Sequence, residues 1–185
     1  AGDLQIKGIA ASPTMEQYAI DAGIEIVSFA EINSIKQLDF GFDGADEVDP
    51  FGRLIKGGGA HMLRERKLAE LCQKLSIPWY VLVDESKCVS VLGEKFPLPI
   101  EVKPEYFTSL LDKLCEFGTT NPRMLDGNPL ITTEGNRIID LRLNAPIEDF
   151  FAKQLLKMQG VVDHGLFIGF NQLLIVGQEN GTIAE

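Results

Sequence analysis

Cysteine is scarce in this chain: there are three among 185 residues, widely spaced at positions 72, 88 and 115. An odd number of cysteines without metal-ligand spacing argues against a disulfide framework or a zinc site and favours free thiols in a reducing compartment. Apolar runs near 18 residues are also missing, so the sequence predicts no membrane span, and it shows no signal peptide. We therefore expect a cytoplasmic protein.

Positive charge is in deficit as well. Lys and Arg number 17 against 27 Asp and Glu, which gives a formal net charge of −10. That balance makes nucleic acid and anionic membranes poor partners, and a negatively charged metabolite would need a local cationic pocket. Apolar residues, in contrast, make up 45% of the chain, which is long enough to bury a core. The composition predicts a globular protein of one domain, or of one domain with a smaller insertion.

The first half of the chain alternates strand and helix patterns. Strands are predicted at 6–10, 24–29, 38–43 and 77–83, and helices at 14–22 and 62–75. The second helix has its predicted buried stripe at i, i+3, i+4 and i+7, on Leu68, Leu71, Cys72 and Leu75. Strands that alternate with helices indicate parallel pairing through right-handed crossovers.

The second half follows a different order after the proline-rich stretch at 97–99. Its predicted elements are a strand at 100–103, a helix at 106–117, strands at 123–133 and 137–143, a helix at 147–158 and a strand at 161–170. This β-α-β-β-α-β order is ferredoxin-like, and residues 173–176 are predicted to return to the first sheet. The predicted fold class is α/β, with a Rossmann-like parallel-sheet catalytic domain (1–97 plus 172–185) and an inserted α+β ferredoxin-like lid domain (98–171). Hinges are expected at 97–99 and 171–172.

An acidic stretch follows the predicted strand at 38–43. Four carboxylates lie within seven residues, and Gly44 and Ala45 leave room for a ligand between Asp43 and Asp46. Because ligands of open α/β sheets bind beyond the carboxyl ends of the strands, these aspartates could hold sugar hydroxyls and help to move protons. Two alternatives remain open: a solvated turn in which Asp43 only caps, and a divalent-metal site.

A glycine run precedes the helix at 62–75. Lys56 and the amides of Gly57, Gly58 and Gly59 could stabilise a developing oxyanion, because the run also lies at a helix N-terminus. Glu65, near the inner stripe of that helix, could act as a general base if it is desolvated. The plainer alternatives are a flexible glycine hinge and a first-turn glutamate that complements the helix dipole.

Three other residues have chemistry that could matter. Lys87 follows the apolar strand at 77–83 and could reach a phosphate or hydroxyl in the same crevice, although a solvent-facing lysine is the simpler interpretation. His164 lies in an apolar strand and is predicted to be structural. His61 lies beside the glycine run, and we assign it no role.

At these segments the chain resembles ribose-5-phosphate isomerase of the A type. The match runs in order through DGADE (43–47), KGGGA (56–60), LRE (63–65), VDESK (83–87), FPLPIEV (96–102) and GVVDHGLF (160–167). The segments are spread over most of the chain and are specific in combination. Family members also have a further N-terminal helix and a strand with a Gly-Thr-Gly-Ser-Thr phosphate loop, which is missing here. The resemblance therefore leads us to expect weak phosphate binding by these 185 residues and a fragment of a longer enzyme.

The resemblance implies interconversion of ribose 5-phosphate and ribulose 5-phosphate through an enediolate, without cofactor or metal. It implies that Glu65 moves the proton, that Asp43 and Asp46 hold hydroxyls and assist ring opening, and that Lys87 binds substrate. Lys56 and the amides of residues 57–59 would stabilise the enediolate oxygen. A homo-oligomer, either a dimer or a tetramer, is usual for this family. The alternatives are an impaired or non-catalytic sugar-phosphate-binding module and a metal-dependent phosphohydrolase.

Overall fold

A computed structural model describes residues 5–179 and 183–184. The helices are α1 (Pro13–Asp21), α2 (Met62–Leu75), α3 (Phe107–Leu114) and α4 (Asp149–Leu156). The strands are β1 (Lys7–Gly8), β2 (Glu25–Ile26), β3 (Gly41–Asp43), β4 (Glu47–Val48), β5 (Leu54–Ile55), β6 (Trp79–Asp84), β7 (Leu98–Val102), β8 (Gly118–Pro122), β9 (Met124–Leu125), β10 (Asn128–Pro129), β11 (Arg137–Leu143), β12 (Val161–His164), β13 (Leu166–Phe167), β14 (Gln172–Gly177) and β15 (Ile183–Ala184).

One sheet has the order β15-β14-β6-β3 and carries the first half of the predicted fold. Both β3 and β14 pair with β6 in parallel, while β15 pairs with β14 in the antiparallel direction. Helix α2 packs on this sheet, where its Ala69 and Cys72 join a buried cluster with Trp79 and Val81. The parallel pairing and the return of residues 173–176 to the first sheet are confirmed. Because the parallel strands end together, Asp43 lies at the same edge as the end of β6.

A second sheet has the order β12-β7-β11-β8, and all its pairs are antiparallel. Its two helices, α3 and α4, cover it with a large apolar cluster that includes Ile100, Leu114 and Leu155. A third, three-stranded sheet, β13-β5-β4, connects the two halves of the molecule. The described elements thus combine parallel and antiparallel sheets with helices, as expected for an α/β protein. None of the helices in the described part of the chain combines the length and hydropathy needed to cross a membrane.

The helix α2 has the predicted bounds, but its buried stripe is shifted. Leu71 and Cys72 are buried as predicted, whereas Met62 and Ala69 take the places expected for Leu68 and Leu75. The strands predicted at 6–10 and 24–29 shrink to the two-residue pair β1 and β2. After β2 the chain enters a 3-10 helix, Phe29–Ser34. The Ser28 hydroxyl caps this helix, because it accepts a hydrogen bond from the Ala30 amide at 3.3 Å.

The prediction of one strand at 123–133 is wrong. The strand that lies beside β11 on the side away from β7 is β8, and the chain then forms the β9–β10 hairpin around Asp126 and Gly127, with φ of 51° and 78°. An Asp-Gly pair favours such positive φ angles, so it marks a tight hairpin turn. The predicted helix at 106–117 ends at Leu114, since residues from Gly118 belong to β8. The predicted strand at 161–170 divides at Gly165 into β12 and β13, which lie in different sheets.

Candidate active site

Lys56 lies at the centre of the site. Its side chain is only 3% exposed, and its Nζ donates a hydrogen bond to the Gly44 carbonyl. The same Nζ lies 3.0 Å from Asp43 Oδ2 and 3.2 Å from Glu65 Oε2. A buried ammonium is stable only when it is paired, and here two carboxylates and a carbonyl surround it. The structure therefore brings together three side chains that the sequence analysis selected separately.

The backbone of Lys56 is held where two sheets meet. Lys56 follows β5, and its N–H donates a 2.9 Å hydrogen bond to the carbonyl of Gly165, the residue that separates β12 from β13. A Cβ at Gly165 would overlap the Lys56 carbonyl oxygen and the ring of Pro99, so only glycine allows this close approach. The Phe167 ring lies 5.6 Å from Lys56 Nζ and covers it from the apolar side.

Asp43 ends β3 and uses its two carboxylate oxygens differently. Oδ1 accepts a 2.8 Å hydrogen bond from the Gly44 amide, and Oδ2 pairs with Lys56. The first contact is the capping role that the sequence analysis left open as an alternative. The second contact places the same side chain beside Lys56, so Asp43 both caps the turn and belongs to the site.

Glu65 is held in the first turn of α2, where its N–H donates to the His61 carbonyl at 3.0 Å. Its side chain is 14% exposed, and burial raises its pKa from the ordinary 4.5. The charge of Lys56 opposes that rise, whereas the charges of Asp43 and Asp46 add to it. Glu65 Oε2 is buried, and Lys56 Nζ, at 3.2 Å, is the charged group beside it. A buried carboxylate with raised pKa is suited to accept a proton near neutral pH.

The glycine run forms a tight loop against Asp46. Gly57 has φ of 104°, a conformation that favours glycine, and Gly58 donates its N–H to Asp46 Oδ2 at 2.7 Å. A Cβ on Gly58 would lie 2.5 Å from Asp46 Oδ1. Asp46 is itself fixed by its own N–H, which donates to the Ile55 carbonyl at 2.8 Å. The loop is thus a built turn that packs on the acidic stretch, and the description as a loose hinge does not fit it.

The other two carboxylates of the acidic stretch anchor the backbone. Glu47 is fully buried and accepts hydrogen bonds from the amides of Gly93, Lys95 and Phe96 at 2.5, 2.5 and 2.6 Å. Asp49 is also buried and pairs with the Arg53 guanidinium at 2.6 Å. A solvated acidic turn is therefore the wrong interpretation for this half of the stretch.

Gly44, Ala45 and Lys87 share a cleft at the carboxyl edge of the parallel sheet. The cleft has a volume of about 530 Å³ and is also lined by Asp84 and Gly177. Lys87 lies in the 3-10 turn that follows β6 and is half-buried. The structure thus places Lys87 beside the acidic stretch, although a solvent-facing lysine was the simpler interpretation of the sequence. No contact with Lys56 or Glu65 is seen for Lys87 in the described residues.

The sequence analysis overlooked Arg66, which fixes the helix that carries Glu65. Its Nε lies 2.7 and 2.9 Å from the two Asp163 oxygens, and its Nη2 donates to the carbonyls of His164 and Leu166 at 2.6 and 3.0 Å. Asp163 belongs to a segment selected above, whereas Arg66 directly follows one, and the two residues are 97 positions apart. No spacing pattern signals such a pair.

His164 is a structural residue, in agreement with the sequence prediction. Its ring is buried between the Ala152 carbonyl, 3.0 Å from Nε2, and the Leu166 amide, which donates to Nδ1 at 3.2 Å. Burial and the nearby Arg66 charge lower its pKa to about 4, so the ring is neutral at pH 7. His61 precedes α2, and burial lowers its pKa too.

Metal-ligand geometry is not seen around the acidic stretch. Within residues 5–179 and 183–184, no group of three or more His, Cys, Asp or Glu side chains is arranged to hold a metal ion. Lys56 Nζ instead occupies the position between Asp43 and Glu65.

A buried carboxylate, an ammonium and a glycine loop lie together beside the carboxyl edge of a parallel sheet in an α/β protein, and this arrangement is suited to proton transfer. The family model for ribose 5-phosphate isomerase A (phosphoriboisomerase A) matches residues 7–181. This chain therefore belongs to the ribose 5-phosphate isomerase A family.

Individual relatives agree with that assignment. The chain is 37% identical over 189 residues to ribose-5-phosphate isomerase A of Prochlorococcus marinus, covering 99% of this chain and 77% of the relative. It is 38% identical over 188 residues to that of Thermococcus kodakarensis, covering 98% and 78%. The structure of ribose 5-phosphate isomerase A from Methanocaldococcus jannaschii superposes with a TM-score of 0.86 at 34% identity, covering 99% and 80%. A D-ribose-5-phosphate isomerase in complex with phospho-erythronic acid gives the same TM-score, 0.86, and identity, 34%, covering 97% and 78%.

Proposed function

We propose that this chain interconverts D-ribose 5-phosphate and D-ribulose 5-phosphate by proton transfer through an enediolate. The observation that carries the proposal is the buried pair of Glu65 and Lys56 beside a glycine loop, in a chain of this family. The isomerisation moves one proton between C1 and C2 and needs a base of raised pKa. It also needs fixed positive groups where the enediolate oxygen becomes negative.

In the proposed mechanism Glu65 removes the proton from C2 of the open-chain aldose and returns it to C1. Between these steps Glu65 is neutral and the substrate is an enediolate. Lys56 Nζ and the amides of the 57–59 loop stabilise its oxygen, and a proton moves between O1 and O2 to complete the ketose. Asp43 and Asp46 hold hydroxyls and assist ring opening. Lys87, with Gly44 and Ala45, binds substrate in the adjoining cleft.

Two parts of the chain have separate roles in this proposal. Residues 1–97 with 172–185 form the catalytic α/β domain, and residues 98–171 form a ferredoxin-like small domain that acts as a lid. The β12-β7-β11-β8 order and the two covering helices support the second assignment. The hinge expected at 97–99 overlaps β7, since Leu98 and Pro99 are buried in that strand. Gln172 likewise begins β14.

The wider setting of the enzyme is also a proposal. Cys72, Cys88 and Cys115 are free thiols, which supports a reducing compartment such as the cytoplasm. One plant relative is named as a probable chloroplastic isomerase. Phe40 and Phe42 are 56% and 68% exposed, which supports a homo-oligomer, either a dimer or a tetramer. Sedimentation velocity would test that assembly. We propose no cofactor, no metal, and no nucleic acid or membrane partner.

The direct test is turnover. The purified chain is incubated with D-ribose 5-phosphate, ribulose 5-phosphate is measured, and the reaction is repeated in D₂O. Ketose formation with solvent deuterium at the transferred position is expected, because the proton passes through an exchangeable carboxyl group. Binding of the sugar phosphate without turnover or exchange would favour the alternative of a non-catalytic sugar-phosphate-binding module.

A further inference from the structure

Arg123 joins the second half of the chain to the glycine loop. It directly follows β8, and its Nη1 donates hydrogen bonds to the carbonyls of Gly57 at 2.5 Å and Gly58 at 3.2 Å. Its Nε and Nη2 donate to the two oxygens of Asp140, on β11, at 3.0 and 2.5 Å. The side chain is only 11% exposed. One guanidinium therefore uses its fixed fork of donors to connect a carboxylate to two consecutive carbonyls.

Those carbonyls determine where the loop amides point. A trans peptide unit is planar, with its C=O and the following N–H on opposite sides, and the described residues contain no cis peptide bond. The Gly57 carbonyl shares a peptide unit with the Gly58 amide, and the Gly58 carbonyl shares one with the Gly59 amide. When Arg123 holds both carbonyls on one side of the loop, both amides are directed to the other side. The Gly58 amide accordingly reaches Asp46 Oδ2 at 2.7 Å.

Such a clamp matters because glycine has little conformational preference of its own. The loop has three consecutive glycines, and Gly57 has φ of 104°, so the direction of its peptide units depends on the contacts around them. The Ala60 amide also donates to the Gly57 carbonyl, at 3.0 Å, and Arg123 adds a charged donor to that carbonyl and to the next. An oxyanion site is effective only when its donors are aimed before the charge develops. Arg123 and Asp140 supply that preorganisation from the side of the loop opposite Asp46.

We propose that Arg123, held by Asp140, is a positioning residue that fixes the glycine loop, so that the Gly58 amide orients Asp46 and the Gly59 amide is directed at the enediolate oxygen. In this proposal the segment 98–171 packs beside the site and also, through Arg123, affects the rate of the reaction. This inference rests on the proposed isomerase function. It differs from a purely structural role, in which Arg123 would hold the two halves of the chain together without any effect on the direction of the amides.

The test compares Arg123→Lys and Asp140→Asn with the control Arg142→Lys. Arg142 lies on the same strand as Asp140 but is exposed, and its one hydrogen bond in the described structure, to the Lys95 carbonyl, is long at 3.5 Å. Lysine keeps the charge of Arg123 but cannot span Asp140 and two carbonyls. We expect kcat to fall about 10- to 100-fold in Arg123→Lys, somewhat less than the loss of a whole oxyanion donor. KM should change less than about threefold, because the amides act mainly on the transition state.

Two further measurements separate positioning from stability. Affinity for phospho-erythronic acid, the ligand in a relative's structure, should fall in parallel with kcat, since its carboxylate resembles the planar, charged enediolate end. The Gly58 and Gly59 amide resonances should shift in Arg123→Lys and in Asp140→Asn but not in Arg142→Lys. Unchanged glycine amides, or a loss of activity that only follows a lower melting temperature, would overturn the proposal. If the wild-type chain shows no turnover, the isomerase function fails, while the analogue affinities and amide shifts still decide the role of Arg123.

Discussion

Replacing Glu65 by glutamine removes the proposed base while preserving the shape of the side chain. A positioned general base contributes about 10²- to 10⁴-fold to a rate, which corresponds to roughly 3 to 5 kcal/mol of transition-state stabilisation. Because the carboxylate is buried beside Lys56 and its raised pKa suits proton transfer, we expect the loss of kcat in Glu65→Gln to lie in this range. Binding of substrate should change little, since the amide occupies the same volume.

The same structure predicts a small effect on folding. Removing one partner of a buried ion pair usually costs about 3 to 5 kcal/mol, because the other charge is left uncompensated. Lys56, however, keeps Asp43 at 3.0 Å and the Gly44 carbonyl. A neutral side chain at position 65 also avoids the cost of burying a carboxylate. We therefore expect the free energy of unfolding of Glu65→Gln to stay within about 1 kcal/mol of the original, well below that usual cost.

The assay measures ketose formation, deuterium exchange in D₂O and urea unfolding for each variant. Glu70→Gln is the matched control, because Glu70 is exposed on the same helix. Loss of both turnover and exchange in Glu65→Gln, with both retained in Glu70→Gln, is the expected result. Exchange at the original rate in Glu65→Gln would show that another group moves the proton. Loss of activity accompanied by unfolding would show that the Lys56 pairing was misjudged.

Other perturbations test the surroundings of the base. Burial raises the pKa of Glu65 above its ordinary 4.5. The acid limb of the kcat/KM profile, in which Glu65 becomes protonated and activity falls, should therefore have its midpoint above pH 4.5. The Asp43 charge contributes to that rise, so Asp43→Asn should move this limb of the pH profile to lower pH; a limb that stays in place or moves upward would contradict the electrostatic assignment. Gly58→Ala should push Asp46 off the Gly58 amide, because the new Cβ would lie 2.5 Å from Oδ1. Asp46, which is proposed to hold substrate hydroxyls, would then be displaced, and a misplacement of about 1 Å predicts roughly a 100-fold lower kcat/KM. Gly8→Ala is its control, with the nearest atom 3.7 Å away, and equal activities of the two variants would refute the packing argument. Incubation with EDTA should leave turnover unchanged, and a loss restored by Mg²⁺ would support the metal-dependent alternative.

The fold was predictable where one period of apolar residues extended over a whole element. Helix α2 keeps its 3.6-residue pattern from Met62 to Leu75, and the apolar segment at 77–83 forms the central strand β6. Predictions failed where one residue redirects the chain. Asp126 and Gly127 turn a single predicted strand into a hairpin, and Gly165 moves the chain from one sheet to another. A hydrophobic pattern alone does not register such changes, and the Asp-Gly pair is a separate turn signal that the strand prediction did not use.

The site was predictable only as separate local segments. Sequence placed Glu65 at a helix start and Lys56 before glycines, but a dipole-complementing glutamate fitted the first observation equally well. The burial of Glu65 favours the base, and its partner Lys56 is held by Phe167 and Gly165, which are more than 90 positions away in the sequence. The clamp of Arg123 on the glycine loop spans 66 positions. Contacts of this kind depend on how the sheets pack, and no local spacing encodes them.

The pairing of Lys56 with two carboxylates also bears on how the site handles charge. In the resting state one ammonium faces Asp43 and Glu65, so this group of three carries a net negative charge and offers an anionic substrate no attraction of its own. In the proposed step Glu65 takes the proton and becomes neutral, and the negative charge moves to the enediolate oxygen. The total charge beside Lys56 then stays the same during the step, and the ammonium needs no large movement to exchange one counter-charge for another. A preorganised electrostatic site stabilises charge without moving its own groups during the reaction. The position of the buried Lys56 against Glu65 meets that requirement.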